Sequence, residues 1–207
     1  MSYKGRKSTP LYDSAEGYDL YAPYYEKDHA YLDSFERAEL FALMGDVQGL
    51  NVLDVGCGTG RMVENLKKFG AKVTGLDVSE KMLAIAKKHF STTEFVLGDI
   101  EELPFEDESF DMVVATFVIV HLGTLQRAFD EVYRVLKPGG VFLVSNVNQR
   151  KAPKLKMEKE EIIIKSFYHR PEAVAEALEE SFFKIEVDGF VEESGVWINQ
   201  LVKAKKK

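Results

Sequence analysis

The sequence predicts a single-domain, doubly wound α/β fold: a mostly parallel sheet with helices on both faces and a C-terminal antiparallel hairpin. Three observations support this prediction. Short apolar runs alternate with amphipathic segments between residues 51 and 146, a glycine-rich turn follows the first apolar run, and two strand-like runs lie close together near the end of the chain. Strands that alternate with helices in this way form parallel sheets with right-handed crossovers.

Five apolar runs predict the strands of the parallel part of the sheet. The fourth run, Phe110–Phe117, is apolar at nearly every position, as expected for a strand that is buried on both faces. A turn at Lys137–Gly140 is predicted before the fifth strand. The predicted strands are Asn51–Val55, Ala71–Leu76, Glu94–Leu97, Phe110–Phe117 and Val141–Asn146.

Helices are predicted where apolar residues recur with the helical period. One of them has a clear start, because the Ser79 hydroxyl oxygen can accept a hydrogen bond from a backbone N–H of the first turn. The predicted helices are Asp33–Met44, Gly60–Phe69, Ser79 to Lys88, Thr124–Leu136 and Pro171–Glu180. The last third also contains an extended segment, Glu161–Phe167, and a hairpin of Phe182–Val191 and Val196–Ala204 joined by Glu-Glu-Ser-Gly.

Size and composition restrict the class of protein. The 207 residues are enough for one well-cored domain, and 34 acidic against 27 basic residues give a net charge of −7. An acidic chain is a poor general binder of phosphates, so no nucleic acid partner is expected. The single cysteine, Cys57, excludes an internal disulfide and a multi-cysteine metal site, and no metal is predicted.

Hydropathy gives no sign of a membrane segment. The longest apolar stretch, Met112–Val120, is too short to cross a bilayer, and the N-terminal residues are polar. These patterns predict a cytoplasmic protein without a membrane partner. The oligomeric state has no signature in the sequence.

The strongest chemical signal is the glycine-rich segment Val52–Gly60, on a predicted strand-to-helix turn. Glycine lets the backbone pass close beneath a ligand, where a Cβ would collide. The helix that follows offers free N–H groups and the positive end of its dipole, which suit a ligand carboxylate. The spacing Gly56-x-Gly58-x-Gly60 differs from the G-x-G-x-x-G of dinucleotide-binding folds. Asp54 stands two residues before the first glycine.

Together with four later motifs, this segment resembles the class I S-adenosylmethionine-dependent methyltransferase family, and the resemblance covers residues 51–146. It implies a Rossmann-like fold, S-adenosyl-L-methionine as cofactor, S-adenosyl-L-homocysteine as product, and in-line transfer of a methyl group to O, N or C of an acceptor. The later motifs are Leu76-Asp-Val-Ser-Glu-Lys-Met-Leu83, Gly98-Asp-Ile100, Phe110–Phe117 followed by His121-Leu122, and Leu136-Lys-Pro-Gly-Gly140.

The resemblance also implies roles for individual residues. Asp77 takes both ribose hydroxyls, since a carboxylate can accept two hydrogen bonds from a diol. Val78 and Met82 pack against the adenine. Asp99 accepts from the adenine amino group and the Ile100 N–H faces a ring nitrogen, although Asp99 can also merely shape a turn. The cofactor-binding residues implied are Asp54, Gly56, Cys57, Gly58, Gly60, Asp77, Val78, Met82, Asp99, Ile100, Thr116 and Phe117.

By the same resemblance the domain has three parts: an N-terminal helical lid (1–49), a cofactor-binding core (50–148), and a C-terminal helix and hairpin on the substrate side (149–207). Aromatic faces suit a sulfonium cation, although tyrosines that pack at a surface are equally common. The candidate lid tyrosines are Tyr12, Tyr18, Tyr24 and Tyr25.

The catalytic residue is unknown from sequence alone. His121 follows the fourth strand, and His169 precedes the helix of the C-terminal third. Either can serve as a general base because histidine titrates near neutral pH, and either can be a structural or surface residue. Tyr24 is the third candidate.

Absent motifs narrow the acceptor. After the fourth strand the chain reads Ala115-Thr-Phe-Val118, without the Asn/Asp-Pro-Pro-aromatic tetrapeptide of methyltransferases that act on planar amino groups. Cys57 lies in the glycine loop, so cytosine methylation through a thiolate is not expected. The prediction is a small-molecule acceptor. The alternatives are a non-catalytic cofactor-binding partner protein, a protein methyltransferase and a nicotinamide-dependent oxidoreductase.

Overall fold

The computed structural model describes residues 8–28, 35 and 39–207. The predicted helix Asp33–Met44 therefore lies partly outside the described residues, and its described end, residues 39–44, is helical. The predicted lid (1–49) also lies partly outside the described residues, and its largest described part is residues 8–28.

The described elements follow the alternation that the sequence predicts. The strands are β1 (Leu11–Tyr12), β2 (Asn51–Val55), β3 (Lys72–Asp77), β4 (Glu94–Leu97), β5 (Phe110–Ala115), β6 (Leu136–Val147), β7 (Lys154–Lys156), β8 (Glu161–Ile164), β9 (Phe183–Glu193) and β10 (Val196–Lys206). The α-helices are α1 (Ser14–Tyr25), α2 (residues 39–44), α3 (Arg61–Lys68), α4 (Glu80–His89), α5 (Gln126–Val135) and α6 (Pro171–Glu180), and 3₁₀ turns cover Glu26–Asp28 and Ile119–His121. None of the described helices has both the length and the hydropathy needed to span a membrane.

Seven strands form the central sheet in the order β4–β3–β2–β5–β6–β10–β9. The first five of these are parallel, and β10 is antiparallel to both β6 and β9. The predicted fold class is therefore confirmed. The chain winds outward from β2 to β4 and returns to β5 on the other side of β2. Open α/β sheets bind ligands at such a switch point, outside the carboxyl ends of the strands.

Both faces of the central sheet are buried at β5. Val113 and Ala115 belong to a core cluster that includes residues of α5 and α6. The alternate residues Met112 and Val114 belong to a second cluster with residues of α2 and α3. All four side chains are buried. The prediction of a doubly buried fourth strand is thus confirmed.

Two predicted boundaries around β5 and β6 need correction. β5 ends at Ala115 rather than Phe117, because Phe117 has a φ of +61°, a left-handed conformation that turns the chain out of the extended strand. The predicted turn Lys137–Gly140 is a bulge inside β6: the register between β5 and β6 shifts there, and Gly139 has a φ of +75°.

The C-terminal hairpin has longer strands and a tighter turn than the sequence predicts. Glu193 still belongs to β9, so only Ser194 and Gly195 connect the strands. Their φ angles, 52° and 77°, are both positive, as in the type I′ turns that suit two-residue hairpins. The predicted four-residue connection is therefore wrong.

A second sheet, β1–β8–β7, is formed by segments for which the sequence predicts at most an extended run. β1 pairs in parallel with the end of β8, and α1 packs on the resulting surface. The contact is so close that a Cβ on Gly17 would lie 2.7 Å from Ile164 Cγ1. The small sheet thereby fixes the position of α1.

The contact beneath Gly17 generates a first prediction. Gly17→Val is expected to lower the free energy of unfolding, measured in urea, by about 1–3 kcal/mol because the added side chain overlaps Ile164. The control Leu20→Val introduces the same side chain at an exposed site of α1, and its expected effect is about 0.5 kcal/mol or less. Equal stability of the two variants would contradict this packing.

Candidate functional site

A cavity of about 350 Å³ lies at the carboxyl ends of β2, β3, β4 and β5, beneath α1. α1 and its N-cap contribute Asp13, Ser14, Ala15, Tyr18 and Tyr25. The sheet side contributes Val55, Gly56, Gly58, Leu76, Asp77, Val78, Met82, Gly98, Asp99, Ile100, Glu101, Thr116, Phe117, Val118, His121 and Leu122. Most residues that the sequence assigns to a cofactor thus come together here. Asp54, Cys57 and Gly60 do not line the cavity, and neither does any residue of 149–207.

The glycine turn after β2 adopts a conformation that favours glycine. Gly56, Gly58 and Gly60 have φ angles of 65°, 54° and 97°. A Cβ on Gly56 would lie 2.4 Å from Val118 Cγ2, and one on Gly60 would lie 2.6 Å from Phe90 Cε2. The first and third glycines are therefore required by packing inside the protein as well as by the turn. The middle glycine leaves the floor of the cavity open.

Asp77 joins the end of β3 to the glycine turn. Its Oδ2 accepts a hydrogen bond from the Gly58 N–H at 2.8 Å, and its Oδ1 accepts one from the Ser79 N–H at 2.9 Å. Burial raises the pKa of Asp77, although the two N–H donors oppose that shift. Each carboxylate oxygen can accept more than one hydrogen bond, so acceptor capacity remains for a ligand hydroxyl.

Residues 99–101 form the wall of the cavity after β4. Asp99 Oδ1 accepts a hydrogen bond from the Glu101 N–H at 3.0 Å, so this residue does shape a turn. It lines the cavity as well, together with Ile100 and Glu101. The two roles that the sequence left open for Asp99 are therefore compatible.

Arg134 of α5 braces the chain just beyond this wall. Its guanidinium donates to the carbonyls of Leu103 at 2.9 Å and Phe105 at 2.7 Å. It also forms ion pairs with Glu131 and Asp107, each at 2.8 Å. These carboxylates raise the pKa of Arg134, so the group stays charged. Arg134 therefore holds residues 103–105 in place without lining the cavity itself.

Asp54 and Cys57 are buried outside the cavity. The Cys57 thiol packs between the sheet and helices α3 and α4, in a cluster with Val63 and Leu83, and a Cβ on Gly75 would lie 2.9 Å from its Sγ. Burial, followed by the charge of Asp54, raises the pKa of Cys57 well above its ordinary value. A protonated, enclosed thiol is a poor nucleophile, in line with the sequence reading.

The tyrosines of the N-terminal segment divide into two groups. Tyr18 and Tyr25 line the cavity, with ring centroids 6.0 Å apart in an edge-to-face arrangement. Tyr12 and Tyr24 do not line the cavity; like Tyr18 and Tyr25 they pack against the apolar cluster between α1 and the small sheet, where Tyr24 stacks on Tyr21. The candidate Tyr24 therefore lies outside the cavity, one residue before Tyr25.

His121 lies inside the cavity at the end of the 3₁₀ turn after β5. Its Nδ1 is 2.9 Å from the Lys165 carbonyl oxygen, and its Nε2 is 2.9 Å from the Tyr18 hydroxyl. Burial lowers the pKa of His121 below its ordinary value of 6.5, although the bond to Lys165 opposes that shift. The imidazole is therefore neutral at neutral pH.

His169, the other candidate histidine, lies outside the cavity. Its Nε2 is 3.0 Å from the Ile119 carbonyl oxygen and 2.9 Å from that of Leu122, so its N–H donates to the backbone on both sides of the 3₁₀ turn. The ring thus supports the turn that carries His121. Of the three candidates for a catalytic residue, the structure brings only His121 into the cavity.

Sequence reasoning missed several residues that line the cavity, among them Asp13 and Glu101. Asp13 had a local signal, because it precedes Glu16 by three residues and caps α1 by accepting from the Glu16 N–H.

The cavity is lined by four carboxylates, those of Asp13, Asp77, Asp99 and Glu101, and no lysine or arginine is among its described lining residues. A cationic ligand fits this charge. Nowhere in the described ranges do three or more His, Cys, Asp or Glu side chains group as metal ligands.

Comparison with known proteins agrees with this site. Residues 53–144 match the family described as a methyltransferase domain. Over 135 residues the chain is 36% identical to malonyl-[acyl-carrier protein] O-methyltransferase of Salmonella typhimurium, covering 65% of this chain and 53% of that protein. Over 90 residues it is 47% identical to demethylmenaquinone methyltransferase of Chlorobaculum tepidum, covering 43% of this chain and 37% of that protein. The chain thus spans about half, or less, of the length of these relatives.

Solved structures share most of the architecture. An S-adenosylmethionine-dependent methyltransferase from Mesorhizobium loti superposes with a TM-score of 0.72 and 25% identity, covering 84% of this chain and 99% of that one. Magnesium protoporphyrin IX methyltransferase from Synechocystis, solved with bound S-adenosylmethionine, has the same fold with a TM-score of 0.64 and 20% identity, covering 86% of this chain and 79% of that one. Residues 53–144 thus match a methyltransferase-domain family, and the architecture around them is shared with S-adenosylmethionine-dependent methyltransferases of known structure.

Proposed function

We propose that the chain binds S-adenosyl-L-methionine in the cavity beneath α1 and transfers its methyl group to O, N or C of a small molecule, releasing S-adenosyl-L-homocysteine. One observation carries this proposal: the Asp77 carboxylate is hydrogen-bonded to the Gly58 N–H, directly beside an open glycine floor. That arrangement provides a hydrogen-bond acceptor for ribose next to a turn that a ligand backbone can approach.

The residues present fit this cofactor. The cavity volume of about 350 Å³ lies within the range of about 300–1,000 Å³ that is typical of small-molecule sites. Its four carboxylates complement a ligand that has a sulfonium and an ammonium group. The N-terminus of α3 follows the glycine turn and suits the ligand carboxylate.

Each wall has its own part in holding the cofactor. Asp77 would hold the ribose hydroxyls, and Asp99 with the Ile100 N–H would hold the edge of the adenine. Val78 and Met82 would pack against the adenine ring. When bound, the cofactor supplies a methyl group that is already activated on a sulfonium, so the protein has mainly to bind, align and exclude water. Alignment of this kind can contribute about 7–11 kcal/mol.

A small acceptor is favoured because, among the described residues, α1 contributes one wall of the cavity. The relatives are named for acceptors as different as a malonyl group on a carrier protein and demethylmenaquinone, so the family match does not define the acceptor.

The division into a lid (1–49), a core (50–148) and a substrate-side part (149–207) stays a proposal. Since 149–207 contributes no lining residue, we propose that it acts by supporting the 3₁₀ turn. The cytoplasmic location also stays a proposal.

The function is tested by incubating the chain with S-[methyl-³H]adenosylmethionine and a pooled extract of cellular small molecules. We expect tritium in a small-molecule product that is separated from the cofactor, together with an equal amount of S-adenosylhomocysteine. Cofactor binding without turnover would indicate a non-catalytic partner protein, and label confined to polypeptides would indicate a protein methyltransferase. Tight binding of NAD without binding of S-adenosylhomocysteine would overturn the proposal.

Asp77→Ala is expected to weaken S-adenosylhomocysteine binding by about 1–3 kcal/mol, since charge-assisted hydrogen bonds to the ribose are lost. Isothermal titration calorimetry measures the dissociation constant. The control is Asp111→Ala: Asp111 also accepts from a backbone N–H, that of Asn51, but lies at the opposite end of the sheet. An unchanged dissociation constant for Asp77→Ala would rule out the ribose role.

His169→Ala is expected to leave the dissociation constant of S-adenosylhomocysteine within about twofold of the original, because His169 lies outside the cavity. The same variant should lower the free energy of unfolding by about 1–3 kcal/mol, since the part-buried Leu122 carbonyl loses the His169 donor and the Ile119 carbonyl keeps only the Leu122 N–H. Calorimetry and urea unfolding separate the two effects. Loss of cofactor binding at unchanged stability would contradict the supporting role.

A further inference from the structure

Tyr18 and His121 form a hydrogen-bonded pair that crosses the cavity. The Tyr18 hydroxyl is 2.9 Å from His121 Nε2, and the two rings meet edge to face with centroids 5.3 Å apart. One residue belongs to α1 and the other to the 3₁₀ turn after β5, and both line the cavity. The pair is thus available to a molecule bound between the helix and the sheet.

The Lys165 carbonyl determines the direction of this hydrogen bond. A carbonyl oxygen can only accept, so His121 Nδ1, 2.9 Å away, must carry a hydrogen. In the neutral imidazole Nε2 is then unprotonated and accepts the Tyr18 hydrogen. The same Nδ1–H bond persists when Nε2 takes a proton, and it stabilises the resulting imidazolium.

We propose that Tyr18 and His121 are catalytic residues that remove the proton of a neutral hydroxyl or amine acceptor during methyl transfer. This inference rests on the proposed function and adds the acceptor class to it. The acceptor O–H or N–H donates its proton to the Tyr18 oxygen, while the Tyr18 proton passes to His121 Nε2. The acceptor oxygen or nitrogen forms a bond to the methyl carbon as the carbon–sulfur bond breaks, and that electron pair stays on sulfur.

The charges balance in this step. The positive charge on sulfur disappears on transfer and one appears on the His121 imidazolium, while the ammonium and carboxylate of the cofactor are unchanged. The carboxylates of Asp13, Asp77, Asp99 and Glu101 line the same cavity and favour a cation in both states. They disfavour an anionic acceptor, and no lysine or arginine is among the described lining residues. Arg61 contacts the wall without lining the cavity: its guanidinium donates to Thr116 Oγ1 at 3.3 Å and lies over the Phe117 ring. A carboxylate acceptor would also have no proton to give at neutral pH.

The surroundings keep the pair in its resting form. Burial raises the pKa of Tyr18, and the nearby Tyr25, Asp77 and Tyr21 raise it further. Burial lowers the pKa of His121. The pair therefore rests as a phenol and a neutral imidazole. Lys165 binds His121 through its backbone carbonyl, and its side-chain ammonium lies over the Phe167 ring, 5.1 Å from the ring centroid.

Four acceptor probes test the acceptor class: catechol, benzyl alcohol, aniline and benzoate, each with S-[methyl-³H]adenosylmethionine. We expect methylation of at least one of the first three and none of benzoate. A chain that binds S-adenosylhomocysteine and methylates no hydroxyl or amine probe, or only benzoate, overturns the acceptor class. Failure to bind S-adenosylhomocysteine at all would instead overturn the proposed function.

Variants test the pair itself, on the best probe or on the extract. Tyr18→Phe keeps the ring and removes only the hydroxyl, and it should lower kcat at least about tenfold, since acid–base catalysis contributes about 10²–10⁴-fold. Tyr24→Phe removes a hydroxyl from the same helix outside the cavity, and kcat should be unchanged. A loss of kcat smaller than tenfold in Tyr18→Phe, or an equal loss of kcat in both variants, overturns the catalytic role of the Tyr18–His121 pair.

The pH profile gives a second readout. Protonated His121 cannot take a proton, so kcat/KM should fall as the pH drops through the lowered pKa of His121. In His121→Asn this acidic limb should disappear along with most of the activity. Persistence of the limb in that variant overturns the assignment to His121.

Nitrogen NMR of histidine-labelled protein gives a readout that needs no turnover. We expect His121 to carry its hydrogen on Nδ1 at neutral pH, and the Nε2 resonance to shift in Tyr18→Phe but not in Tyr24→Phe. A hydrogen on Nε2 in the neutral ring, or an Nε2 resonance that ignores Tyr18→Phe, overturns the pair.

Discussion

The hydrogen bonds of Asp77 are the constraint on which the site depends. One oxygen binds the Gly58 N–H and the other the Ser79 N–H, so one carboxylate fixes the glycine turn after β2 relative to the start of α4. The turn itself can form only because Gly56 and Gly60 let Val118 and Phe90 pack against its backbone. The shape of the cavity floor is therefore determined inside the protein, before any ligand binds.

The same corner also holds α1. Ser79 donates from its hydroxyl to Asp19 Oδ1 at 2.6 Å, and Asp19 Oδ1 also accepts from the Lys81 N–H at 3.0 Å. The next residue toward the N-terminus, Tyr18, bonds to His121 on the other side of the cavity. Two adjacent residues of α1 thus join the β3 side of the site to the β5 side. A chain of hydrogen bonds runs from Asp19 through Ser79 and Asp77 to the glycine turn, so the position of α1 and the geometry of the floor are linked.

The sequence predicted what is encoded locally. β2, β4 and α6 have the predicted bounds, and Ser79 caps α4 as expected, because short-range periodicity and capping chemistry determine these features. The motif residues 77 and 99 could be placed at neighbouring strand ends because parallel topology brings those ends together. The small sheet could not be predicted, since β1 and β8 are about 150 residues apart and each is too short to show a pattern. For the same reason the sequence could not separate His121 from His169, or Tyr18 from Tyr24. Whether each of these side chains reaches the cavity depends on packing between distant segments.

That long-range packing explains how the C-terminal third takes part without lining the cavity. After β8 the chain brings the Lys165 carbonyl to His121 Nδ1, and four residues later His169 Nε2 donates to both ends of the 3₁₀ turn. Buried Asn146 then ties the backbone of His169 to the central sheet. The orientation and tautomer of His121 are therefore set by residues that do not line the cavity. Changes in 149–207 would act on the basicity and direction of Nε2, whereas changes in α1 or the 3₁₀ turn would act on the shape of the cavity.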